Sequence, residues 1–179
     1  MKLVRSIASL AILGLFLLAA TAAQSQTAST APAQDAVLKA AEVGNKVFPD
    51  KVFFRGQSAP VQARNTAGVK YADGFFVLAG LVDNSGYSSG IREKYQAYFI
   101  TEVPLEIGGQ ILKPGAYGVG FLDADKFIVM DLGANDLFTV SSKKDSDIKH
   151  PVPLQIVAVD GGTYRLYKGR DYIAFHRAK

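Results

Sequence analysis

The chain has 179 residues, 49% of them hydrophobic and 20% charged, enough apolar material for one globular domain with its own core. It contains no cysteine, which excludes disulfides, thiol nucleophiles and thiolate metal sites. Its formal charge of +4 comes without any dense Lys/Arg stripe, so nucleic acid is not an expected partner.

The first residues read as an export signal. Lys2 and Arg5 precede an apolar run over 7–20, short of the roughly 20 residues that a membrane helix needs, and small residues at Ala20, Thr21, Ala22 and Ala23 suit a signal peptidase. We expect 1–23 to be removed on export to the periplasm or the medium of a bacterium, with no membrane span afterwards. Residues 24–34 (QSQTASTAPAQ) lack periodicity and read as a disordered tether, leaving 35–179 as a single β domain.

Within that domain Asp35 is expected to cap a short helix over 36–43 (AVLKAAEV), ended by Gly44 and the only helix of the chain. From Lys51 the apolar pattern takes period two. KVFF forms a short strand, 61–64 alternates, 65–68 turns, and Asp73-Gly74 signals a hairpin. The next run, 75–82 (FFVLAGLV), is apolar on both faces and belongs in the middle of a sheet covered on both sides. Gly80 within it points to a bulge or a close approach. Residues 83–90 form a loop of small, turn-forming residues around Tyr87. That ring either offers a contact at a polar tip or folds back onto the sheet.

Residues 95–132 carry the longest β signal, and the flanking segments read as additions to the same sheet. Tyr95, Ala97, Phe99, Val103, Leu105 and Ile107 make one apolar face. Pro104 cannot donate to a ladder and marks a strand end, a bulge or an edge. Gly108-Gly109 makes a hairpin turn whose loop has either two or three residues. After Pro114, the bulky Tyr117, Val119 and Phe121 alternate with Ala116, Gly118 and Gly120. That bare face is either the wall of a ligand cavity or a surface packed tightly under rings such as Phe75 or Phe76. FIVMDL (127–132) is a second two-sided strand, and 141–150 a solvated charged loop. In the last hairpin, with KGRD (168–171) as the loop, Tyr167 should face Tyr172, Leu166 face Ile173, Arg165 face Ala174, Tyr164 face Phe175 and Thr163 face His176. One face is then core, and the other gathers Arg165, Tyr167, Tyr172 and His176 into a candidate binding patch.

The fold expected is all-β, an antiparallel, meander-rich sandwich or barrel of about ten strands with one short N-terminal helix. Two segments, PLEIGGQILKPGAYGVGF (104–121) and PLQIV with GTYRLYKGRDYIAF (153–175), together with VFFRGQ and the Tyr87 loop, resemble uncharacterised exported bacterial β-domain proteins of unknown function. More distantly, the glycine turn followed by a Pro/Ala-Gly-x-Tyr strand resembles a further bacterial β-domain family of unknown function. Neither resemblance implies catalytic residues.

His150 and His176 are the only histidines, there is no G-x-S-x-G elbow, and no phosphate or dinucleotide fingerprint or metal-ligand spacing occurs. No catalytic residue, metal or cofactor is therefore assigned. The expected function is a non-enzymatic exported domain that binds a ligand or an envelope partner, a small molecule, glycan or protein. The alternatives are a hydrolase using carboxylates or His176, and a structural envelope subunit.

Overall fold

Strands alternate with tight turns through residues 34–179, the part of the chain described by the computed structural model. The expected signal peptide and all but the last residue of the expected tether lie outside the described residues. In chain order the elements are β1 (Ala36–Leu38), α1 (Ala40–Val43), β2 (Lys51–Phe54), β3 (Gln57–Lys70), β4 (Phe76–Val82) and α2 (Ser89–Lys94). They continue as β5 (Ala97–Thr101), β6 (Leu105–Ile107), β7 (Gln110–Leu112), β8 (Gly115–Leu122), β9 (Lys126–Met130) and β10 (Asp136–Ser141). The last are β11 (Lys143–Lys144), β12 (Gln155–Ala158), β13 (Thr163–Lys168) and β14 (Asp171–Arg177).

Two antiparallel sheets result. The first runs β1-β3-β4-β5-β8-β9-β10 with β2 added to β3; the second runs β12-β13-β14-β6-β7 with β11 added to β14. The fold is an all-β sandwich, with open edges and not a closed barrel. The expected count of about ten strands was close; the surplus comes from two- to four-residue strands that carry too few side chains to show a period.

The stretch 95–132 is divided between both sheets, which corrects the expectation that its segments share one. β5 ends at Thr101, whose hydroxyl donates to the Val103 carbonyl inside the connection. Pro104 then stops the ladder for want of an N–H. The β6–β7 hairpin joins the second sheet, with Ile107 opposite Phe175 and Leu105 opposite Arg177. Lys113 and Pro114 return the chain to β8, which pairs with β5. The excursion stitches the sheets together. Its turn has two residues, Gly108 and Gly109 at φ 57° and 81°, placing Gln110 opposite Ile107.

Three local expectations near the N-terminus also change. Residues 65–68 do not turn but continue β3, a 14-residue strand. Its pairing with β4 jumps from Val61–Val82 to Thr66–Gly80, so 62–65 bulge out of the ladder. The bulge satisfies its own polar groups: Gln62 Nε2 donates to the Val82 carbonyl, Asn65 Nδ2 to Gln62 Oε1, and Thr66 Oγ1 to the Ala63 carbonyl. The expected helix over 36–43 survives only as α1, because Ala36, Val37 and Leu38 pair with Lys70, Val69 and Gly68. Asp35 is no helix cap. Its carboxylate accepts from the Ala72 N–H at 2.9 Å and from the Tyr164 hydroxyl at 2.7 Å, tying the start of β1 to both sheets. A second short helix, α2, overlaps the end of the loop expected over 83–90, so the helix near the N-terminus is not the only one.

The first sheet is covered on both faces, as its doubly apolar strands require. Val77 and Ala79 of β4 and Phe127 and Val129 of β9 pack between the sheets with Phe99, Leu105, Leu166 and Phe175. Leu78, Val82, Ile128 and Met130 point the other way, under a third layer built from β2, α1 and the segment around α2. Each large side chain so buried contributes roughly 1.5–3 kcal/mol, which offsets the absence of disulfides.

Candidate binding site

Tyr87 is not a surface contact. Its ring is 6% exposed, and its hydroxyl donates to the Phe54 and Gln57 carbonyls at 2.9 and 3.2 Å. It meets Phe54 and Tyr95 edge-on in the second core. Burial raises its hydroxyl pKa above the ordinary tyrosine value. The loop that reads as functional because it is small and polar is instead pinned from below by its one aromatic residue.

The bare face of β8 is not a cavity wall. A Cβ placed on Gly118 would sit 2.4 Å from the Phe54 ring, and one on Gly120 would sit 2.1 Å from the Lys94 carbonyl oxygen. Ala116 is half-buried at the margin of the same core. Tight packing is the outcome, but under Phe54, Tyr95 and the α2–β5 connection; Phe75 and Phe76 are not the covering rings.

The final hairpin has the expected register throughout, from Thr163–His176 to Tyr167–Tyr172, with Lys168 opposite Asp171 and a two-residue turn at Gly169 and Arg170. Arg165, Tyr167 and Tyr172 do come together. The Arg165 guanidinium lies 4.5 Å from the centre of the Tyr172 ring and donates to the Tyr167 hydroxyl, which donates to Asp145 Oδ2 at 2.9 Å. The hydrogen bond that Arg165 donates to the Tyr167 hydroxyl raises the Arg165 pKa. Asp145 comes from the charged 141–150 loop and closes over the cluster, leaving Tyr167 3% exposed. What remains open beside it is a small depression of about 250 Å³ between Lys143, Arg165 and Tyr172. The cluster therefore spends its hydrogen bonds on holding that loop.

His176 stands apart from these three. Its Nε2 lies 3.5 Å from Glu106 Oε2 on β6, with Thr163 opposite on β13. The three side chains form a hydroxyl–imidazole–carboxylate row across neighbouring strands, yet no hydrogen bond among the described residues joins Thr163 to His176. The row lies on a sheet face outside both cavities described for the domain. Among the described residues no cluster of three or more His, Asp or Glu is disposed to hold a metal ion, and no helix is long and apolar enough to cross a membrane.

The larger of the two cavities is elsewhere. Where the sandwich opens between β1–β3 and β12, a groove of about 590 Å³ runs between the sheets, within the roughly 300–1,000 Å³ usual for small-molecule sites. Its first wall is Val37 to Ala40 with Arg64 to Ala67 of the β3 bulge; its second is Val152 to Ala158. Ala67, Leu154 and Ile156 form a buried apolar floor. The local chemistry explains the opening. β1 and β12 are both edge strands, the bulge carries β3 away from its neighbour, and Pro151 and Pro153 keep the approach to β12 out of a ladder.

The groove's polar groups are few. Asn65 and Thr66 are committed to the hydrogen bonds of the bulge. No carboxylate lines it, whereas Lys39 and Arg64 do, and neither forms an ion pair among the described residues. None of these residues stands out in the sequence. Val37 and Leu38 look helical, 65–68 look like a turn, and the two walls lie about a hundred residues apart in the chain.

Comparison with protein-family models, with curated proteins and with solved structures found no match.

Proposed function

We propose that this is an exported, non-enzymatic β-sandwich domain that binds a small apolar or amphiphilic molecule in the groove between β1–β3 and β12. The observation that carries the reading is the groove itself, an apolar-floored cavity of about 590 Å³ open at a sheet edge. Binding there follows from removing hydrocarbon from water, with the sheets supplying a preformed site. Export rests on Lys2, Arg5 and the apolar run 7–20, and places the domain among the lipids, glycans and proteins of a bacterial envelope or its surroundings.

The test is native mass spectrometry of protein recovered from its exporting host, alongside the variant Ala158→Trp. Ala158 is exposed and lines the groove, so an indole there fills the site without disturbing the core. A ligand retained by the wild type and lost in Ala158→Trp is the expected result. Equal retention by both proteins overturns the assignment. Determining the N-terminus of the exported protein tests the signal, with a new terminus near residue 24 expected.

A further inference from the structure

We infer that the groove takes the hydrocarbon chain of a free fatty acid, with its carboxylate held at the rim by Lys39 and Arg64. This rests on the groove reading above and adds the chemical class and charge of the ligand. The floor of Ala67, Leu154 and Ile156 offers no hydrogen bond to a polar body, so what lies along it must be hydrocarbon. The rim is polar in one sign only. Lys39 and Arg64 line the same wall without an anionic partner among the described residues, and the lining includes no Asp or Glu. Glu42, the nearest acid in sequence, accepts a hydrogen bond from the Lys39 backbone N–H and does not line the groove.

The neutral polar side chains lining the groove are Asn65, Thr66 and, on the second wall, Gln155. Asn65 and Thr66 already donate to Gln62 and Ala63, which leaves the two cations as the main free polar groups on that wall. A carboxylate satisfies both, since a guanidinium presents a planar fork to two oxygens and an ammonium adds a point charge. One chain suits the space better than two, because the volume is that of a site for a single small molecule.

The experiment is equilibrium dialysis of the delipidated mature protein against labelled dodecanoate and, separately, dodecan-1-ol, which share a chain and differ in head group. Dodecanoate is expected to bind about tenfold more tightly, since each exposed ion pair contributes about two- to fivefold. Raising the ionic strength should weaken dodecanoate alone. Lys39→Glu with Arg64→Glu, both exposed positions, should abolish the advantage of dodecanoate over dodecanol, and Ala158→Trp should weaken both ligands. Equal affinity for the two ligands, with Ala158→Trp weakening both, overturns the fatty-acid assignment and leaves the groove reading standing. Binding of neither, or binding indifferent to Ala158→Trp, overturns both. Sedimentation showing a dimer that dissociates with Ala158→Trp and excludes dodecanoate also overturns the inference, assigning the groove to a second copy. If the double variant does not fold, the head-group comparison and its salt dependence in the wild type decide the matter.

Discussion

Replacing Gly120 by alanine should destabilise the domain, although the same change at an open position stabilises. The added Cβ would stand 2.1 Å from the Lys94 carbonyl oxygen and 2.9 Å from its carbon, inside the 3.0 Å that real Cβ contacts respect. The carbonyl cannot step back easily. Tyr95 N–H donates to the Ile91 carbonyl and Gln96 N–H to the Val119 carbonyl. The Gln96 side chain donates to the Glu93 and Phe121 carbonyls and accepts from the Phe121 N–H. Overpacking of this kind costs about 1–3 kcal/mol, against about 0.4–1 kcal/mol gained from a stiffer unfolded chain. A net loss of about 1.3 kcal/mol lowers the urea midpoint by about 0.7 M for a slope near 2 kcal/mol/M. Gly90→Ala is the control: nothing lies within 4 Å of its Cβ and it sits inside α2, so it should gain about 0.5–1 kcal/mol. Both follow from urea unfolding monitored by circular dichroism. A midpoint for Gly120→Ala equal to or above the wild type would refute the packing argument and restore the cavity-wall reading of β8.

Other outcomes are expected elsewhere. Asp35→Ala should cost about 1.5–3 kcal/mol, the usual worth of hydrogen bonds to a charged group, because it frees the Ala72 N–H and the Tyr164 hydroxyl together; thermal unfolding reads it. Tyr87→Phe removes the donor to two carbonyls beneath the loop and should cost about 1–2 kcal/mol by the same assay, whereas a surface tyrosine would cost nothing. Alkaline pH should destabilise the protein in a defined window. Burial first, then the negative charge of Asp35, pushes the Tyr71 pKa up to about 12 from 10.0, so the unfolded chain loses that proton first. Its contribution is complete below pH 10 and declines as pH rises towards 12, by about 1.4 kcal/mol per pH unit at most. Tyr71→Phe should flatten that decline at little cost near neutrality, since the Tyr71 hydroxyl is buried without a partner; urea midpoints across the alkaline range test both points.

Much of the sheet architecture was legible from local chemistry. The register of the last hairpin follows from alternating Tyr164, Leu166, Ile173 and Phe175 around Gly169, because slipping by one residue would turn all four outwards. The two-sided packing of β4 and β9 follows from apolar residues at successive positions, which no half-exposed strand tolerates. Where the reading failed, a non-local pairing overrode a local preference. Ala36, Val37 and Leu38 have helical company in sequence but meet a free edge of β3. Residues 65–68 have turn-like composition, but Thr66, Ala67 and Gly68 pair with β4. Tyr87 is isolated in sequence and surrounded in space, by Phe54 from an earlier hairpin and Tyr95 from the end of α2.

The sequence by itself determined the fold class, the hairpin turns, the faces of the long strands and the absence of thiol chemistry, since each depends on residue type and on spacings of a few positions. Only the tertiary structure decided that 95–132 serves two sheets, that the glycine face of β8 is filled, and that the candidate site lies between β1–β3 and β12. A proline announces that a ladder stops but not which sheet the chain joins next. A groove bounded by two edge strands exists only where segments distant in the chain fail to close upon each other, and no local pattern of residues records that gap.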